Sequence, residues 1–159
     1  MIGKRVADVL FELGGEINHG FTYAGHPVCC AAALRNIEII QEEHLVERVR
    51  DDIGPYMQAK WKAFADHPLI GEAVMEGLIG GIQLTPDKKA RAKWAEEGTA
   101  GMTCRNHSFN NGLVMRAVGD RMVIAPPLTI THAEVDELIG IVGKTLDETA
   151  ASLKAKGLF

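Results

Sequence analysis

A membrane anchor, a disulfide framework and a strongly charged surface are all missing from this sequence. No segment approaches the roughly 18 consecutive apolar residues that mark a bilayer-crossing helix. Met1 to Leu13 carries charges throughout, unlike a secretory leader. Three cysteines is an odd number, and Cys29 and Cys30 are adjacent, so no disulfide set can be laid out. Reduced thiols in a cytoplasmic protein are the expectation. The formal charge is −4, from 17 basic and 21 acidic residues, with no long run of one sign. That balance argues for neither nucleic acid nor an anionic membrane as partner.

Self-contained catalytic machinery is missing as well. No CxxC, HExxH, GxSxG or GxxxxGK[ST] occurs. The six histidines are scattered, no two at metal-ligand spacing, so no metal is expected. The "GLIGG" of Gly77 to Gly81 lacks the lysine and the following helix of a phosphate loop, and reads as strand glycines.

What is present suffices for a real core. The chain has 159 residues, 47% of them hydrophobic, and a domain of about this size buries roughly 68–70% of its unfolded surface. Ile2, Val6, Val9, Leu10 and Leu13 recur at helical spacing, and Gly14-Gly15 should stop that helix. A loop from Gly14 to His26 is expected, then Pro27 at a first helical position and a helix to about Gln41. A second helical stretch covers His44 to Asp66, kinked or restarted at Gly54-Pro55. "VMEGLIGGIQL", Val74 to Leu84, reads as one strand. "KKARAKWAEEG" and "GMTCRNHSFNNG" read as short helical or irregular crossings. "LVMRAV" and "RMVIA" read as strands around a tight turn at Gly119-Asp120. Thr131 and Glu134 have capping-box spacing, and Val135, Leu138, Ile139, Val142 and Leu146 form one apolar face. The expected class is α/β in composition: a small antiparallel sheet with helices packed on one side.

Two motifs carry a family resemblance. "HGFTYAGHPVCCAAAL", from His19, resembles the segment that follows the catalytic lysine in class III aminotransferases, which use pyridoxal 5'-phosphate. "GLVMRAVGDRMVIAPPLTITHAEVDEL", from Gly112, is similar to the carboxy-terminal signature of that family. Order and spacing both agree, and the likeness covers essentially the whole chain. It implies a fold-type I enzyme, an amine or amino acid donor, a keto acid acceptor, and a homodimer or higher homo-oligomer. Residues 1–53 would be the tail of the large cofactor domain with its connecting helix, and 54–159 the small domain. The family lysine would lie shortly before the position of Met1. Lys4 does not replace it, because no Pro-Leu-Gly follows. No catalytic residue is therefore expected within this chain, and alone it should be inactive.

The resemblance also assigns binding residues. A phosphate is held by hydroxyls and N–H groups at turns and helix starts. In the family, the threonine of this motif donates to the phosphate of the cofactor bound in the neighbouring subunit. Here that is Thr22, with the backbone around Phe21 beside it. The plain alternative is that Thr22 only caps a turn. Ala24 stands where serine is more often found, and His26 reads as a structural turn residue. Cys29 and Cys30 read as small packing residues, and Phe21, Tyr23 and Val28 as an apolar patch that favours association. Arg116 follows "GLVM" as does the arginine that holds the acceptor carboxylate in the branch acting on amines and ω-amino acids with pyruvate. A planar guanidinium fork suits a carboxylate. The alternative is a strand arginine paired on the surface, which is the reading for Arg121. Two other readings stand beside the enzyme: a free-standing α/β module that binds a carboxylate or regulates a partner, and half of a split enzyme.

Overall fold

The computed structural model describes residues 3–14 and 20–159. Ile2, Gly15 and His19 lie outside them, so the expected helix start, half of the glycine stop and the head of the first motif are not described. The chain divides into two compact units, residues 1–39 and 40–159.

The first unit holds α1 (Lys4–Glu12) and most of α2 (Pro27–Glu42). α1 stops just before Gly14, as its sequence requires. Pro27 opens α2, and the His26 carbonyl accepts the first helical bond from Cys30 N–H at 2.9 Å. Proline at this place costs no hydrogen bond, since the first N–H groups of a helix have no internal partner. No residue of α1 or α2 is buried.

The second unit opens with a continuous but unevenly wound helix: α3 (Leu45–Arg48), a wider π turn at Val49–Ile53, then α4 (Gly54–Lys62). The wide turn is how the helix passes Pro55 without breaking. Proline offers no N–H and crowds the preceding turn, and one extra residue in that turn relieves both. Gly54 N–H now reaches back to the Val49 carbonyl. A Cβ on Gly54 would stand 2.2 Å from that oxygen, so the turn closes only on glycine.

One expected strand proves to be two. The segment Val74 to Leu84 contains the end of β1 (Ile70–Glu76), a turn at Gly77-Leu78, and β2 (Ile79–Leu84). Gly77 takes a φ of +54°, which glycine adopts without steric cost, and the chain reverses there. Glu76 then faces Ile79 across an antiparallel pair. Next come α5 (Thr99–Asn110), β3 (Arg116–Val118), β4 (Arg121–Ile124) and α6 (His132–Ala155). The second of the two expected crossings is thus a full helix, while 85–98 is irregular. The sheet order is β1-β2-β4-β3, antiparallel throughout, with β3 at an edge.

One face of the sheet and three helices make the core. Ile82, Met122 and Ile124 meet Met57 and Trp61 of α4, Cys104 of α5, and Val135, Val142 and Leu146 of α6. The other face carries Glu72, Val74, Arg116 and Val118, all exposed. This is the small antiparallel sheet with helices on one side. The capping box at α6 forms in both directions: Glu134 N–H donates to Thr131 Oγ1, and Thr131 N–H donates to Glu134 Oε2 at 2.8 Å. Arg48 closes the loop before it, donating to the Leu128 and Ile130 carbonyls at 2.7 and 2.6 Å.

Gly54 and Gly140 make a paired test. Gly54→Ala forces a methyl against a carbonyl and should cost about 1–3 kcal/mol or more. Gly140 lies in α6 with nothing within 4 Å of an added Cβ, so Gly140→Ala should gain roughly 0.5–1 kcal/mol. Denaturant unfolding of both variants checks the signs. Equal effects would refute the close approach at Gly54.

Candidate functional site

In the first unit the segment from Phe21 to His26 folds as two consecutive turns. Ala24 N–H donates to the Phe21 carbonyl at 2.9 Å and His26 N–H to the Tyr23 carbonyl at 3.1 Å. The Thr22 amide and hydroxyl make no hydrogen bond to any described residue, and Thr22 is exposed. No acidic residue occurs between Glu16 and Glu38. A free hydroxyl, a free amide and no nearby carboxylate in sequence form a donor set that fits an acceptor-only phosphate dianion. Phe21, Tyr23 and Val28 each expose 70% or more of their surface.

Lys4 is an exposed lysine of α1. Its Nζ lies 2.7 and 2.9 Å from the Asp8 carboxylate one turn along α1. Cys29 and Cys30 are exposed on α2. Cys104 is the buried thiol, and burial pushes it up to about 11. At neutral pH it is an inert core residue.

The second unit separates the two strand arginines by their partners. Arg121 is the paired one: its Nη2 lies 2.8 Å from Glu72 Oε2, and its Nε donates to Gln83 Oε1 at 3.2 Å. Arg116 is exposed and pairs with no described residue. Its neighbours on the same face are Val118, next but one on β3, and Val123, opposite it on β4. An unpaired guanidinium among valines is chemically ready for a carboxylate, since no internal acid has to be displaced first.

Gly119-Asp120 forms the expected tight turn, and its aspartate has a further role that no local pattern signals. Asp120 is 8% exposed. Its carboxylate accepts from the N–H of Gly98, just before α5, at 2.9 Å and from the N–H of Gly101, in its first turn, at 3.0 Å. Gly98 precedes α5 without a side chain to cap it. Asp120 supplies that cap from a distant strand turn, and its negative charge suits the positive end of the helix. The Asp120 carbonyl accepts from Leu84 N–H at 2.9 Å and Gln83 Nε2 at 3.3 Å. Gly101 lies so close that a Cβ there would stand 2.0 Å from the Gly119 carbonyl oxygen. A glycine inside a helical segment was the one available signal of that contact.

Comparison with known proteins agrees with the two motifs. The sequence pattern described as aminotransferase class-III matches residues 2–146. A putrescine–pyruvate aminotransferase of Pseudomonas aeruginosa is 49% identical over 158 residues, covering 98% of this chain and 34% of its own length. A mitochondrial gamma aminobutyrate transaminase 1 of Solanum lycopersicum is 40% identical over 94% of this chain and 29% of its own length. Among solved structures, the omega transaminase of Pseudomonas jessenii in complex with PMP superposes with a TM-score of 0.78 at 36% identity. That match covers 94% of this chain and 32% of the other. The chain thus spans about a third of the length of the relatives it matches.

Proposed function

The chain belongs to the class-III aminotransferases, and we propose that it supplies the phosphate-anchoring turn and the carboxylate-reading strand of an enzyme moving amino groups from an amine or ω-amino acid to a keto acid such as pyruvate. Residues 1–53 are in this reading the tail of the cofactor domain and its connecting helix, and 54–159 the small domain. The observation that carries it is the contrast between the two arginines: Arg121 is neutralised by Glu72, and Arg116 is exposed with no described partner. The 49% identity to a putrescine–pyruvate aminotransferase supports the same branch. A carboxylate-binding module without catalysis is less favoured, because the likeness to enzymes runs through 98% of the chain.

The family implies pyridoxal phosphate. Thr22 Oγ1 and the amides of its turn would donate to the phosphate, in a neighbouring subunit by the family's pattern. When bound, the cofactor delocalises the negative charge that develops at the substrate carbon as the amino group moves. Arg116 would orient the acceptor through two parallel N–H···O bonds to its carboxylate, and Val118 and Val123 would give an alkyl or aryl amine an apolar surface instead. No group of this chain is assigned a proton transfer: no Pro-Leu-Gly follows Lys4, and Cys104 is inert. The three free thiols favour a reducing compartment, the cytoplasm in our reading.

Arg116→Ala in the full-length enzyme tests the assignment. Hydrogen bonds to a charged group are worth about 1.5–3 kcal/mol, roughly 10- to 150-fold in specificity constant. The variant should raise the apparent Michaelis constant for pyruvate by that order and leave the half-reaction with a carboxylate-free amine within a few-fold. Arg116→Lys should recover part of the loss, and Arg121→Ala should change neither half-reaction. Stopped-flow measurement of the half-reactions separates these outcomes. Equal damage to both, or none to either, makes Arg116 structural and removes the branch assignment.

A dimer is the second part of the proposal, resting on the open apolar surface of Phe21, Tyr23 and Val28. Such a patch favours association. Light scattering on this chain should show a mass that rises with concentration, and a monomer at every concentration would count against it.

A further inference from the structure

Asp120 sits four residues from Arg116, and nothing in the family reading gives it a role. β3 is three residues long, lies at the sheet edge, and pairs with β4 alone. Arg116 is two steps along that ladder from the turn, opposite Val123. An edge strand this short has few bonds of its own to hold its direction. Its course is set by its ladder to β4, by Met115 in the core, and by whatever fixes the turn at Gly119-Asp120.

The turn is held from two directions. On the α5 side, the Asp120 carboxylate takes the amides of Gly98 and Gly101, and the Gly119 carbonyl lies in the notch left by Gly101. On the β2 side, the Asp120 carbonyl takes Leu84 N–H and Gln83 Nε2. The carboxylate has no ion pair with Arg116 or Arg121, so its charge is directed at the helix end and leaves the guanidinium of Arg116 un-neutralised. Removing the cap would free the turn to shift against α5, and β3 would move with it.

We infer that Asp120 is the positioning residue for Arg116. It fixes the hairpin turn, the turn fixes the direction of β3, and β3 aims the guanidinium at the acceptor carboxylate. The inference rests on the carboxylate-binding reading of Arg116. A misplacement of about 1 Å by a distant substitution can cost on the order of 100-fold when binding geometry is exacting.

The test is a double-mutant cycle in the full-length holoenzyme with Arg116→Ala, Asp120→Ala and the double variant. Asp120→Asn, whose Oδ1 keeps an acceptor for one amide, is carried alongside in case the alanine variant does not fold. Both half-reactions and the thermal midpoint are measured for each. Asp120→Ala should raise the apparent KM for the keto acid roughly 10- to 100-fold. Its kcat at saturating keto acid, and the half-reaction with a carboxylate-free amine, should stay within a few-fold. Asp120→Asn should show a smaller effect of the same kind. The double variant should be no worse toward the keto acid than Arg116→Ala alone, because residues acting through one another are not additive. Additive losses, or equal damage to both half-reactions, would make Asp120 structural and overturn the inference while the role of Arg116 stands. A harmless Arg116→Ala would remove the carboxylate reading and this inference with it.

Discussion

The organising constraint of the second unit is one carboxylate shared between a strand turn and a helix end. A helix start leaves N–H groups with no internal partner, and Gly98 has no side chain to offer. Asp120 comes from 22 residues further along the chain to fill that need at Gly98. Because the same residue's carbonyl holds Leu84, the cap also joins α5 to the middle of the sheet. Gly101 permits the approach: any Cβ would collide with the Gly119 carbonyl. Local chemistry, a missing cap and a missing side chain, therefore decides where the edge hairpin lies.

The same economy appears at the other end of the unit. Pro55 would break an ordinary helix, and the wide turn at Val49–Ile53 carries the chain past it with Gly54 filling the closest point. The long helix then delivers Trp61 into the core, where its ring meets Phe64 edge-on at 5.6 Å between centroids. Arg48, immediately before the wide turn, holds the loop that leads into the capping box of α6. Proline and glycine here shape the helix rather than end it.

What could be read from the chain follows from how local each signal is. The α6 capping box was legible because Thr131 and Glu134 are three residues apart and complete one another. Pro27 as a helix start was legible for the same reason. The strand from Val74 to Leu84 was misread because Gly77 looks like Gly80 and Gly81 in sequence, and only its positive φ turns the chain. The role of Asp120 was not legible at all, since its partners lie 19 and 22 residues away. The two strand arginines differ through Glu72 and Gln83, which lie 49 and 38 residues from Arg121. The family motifs placed Thr22 and Arg116 and left Arg121 as the surface-paired arginine, and the structure adds its partners, Glu72 and Gln83.

A carboxylate shared between α5 and the strand turn sets a definite pattern of amide exchange. Local openings range from almost no cost to the full unfolding free energy. If the shared carboxylate joins α5 to the sheet, the amides of Gly101 and Leu84 belong to one cooperative unit. Native-state hydrogen exchange by NMR should find them equally protected, and as slow as Met122 at the centre of the sheet. Fast exchange at Gly101 with Leu84 still protected would show that α5 opens independently of the strand turn, and would contradict the account.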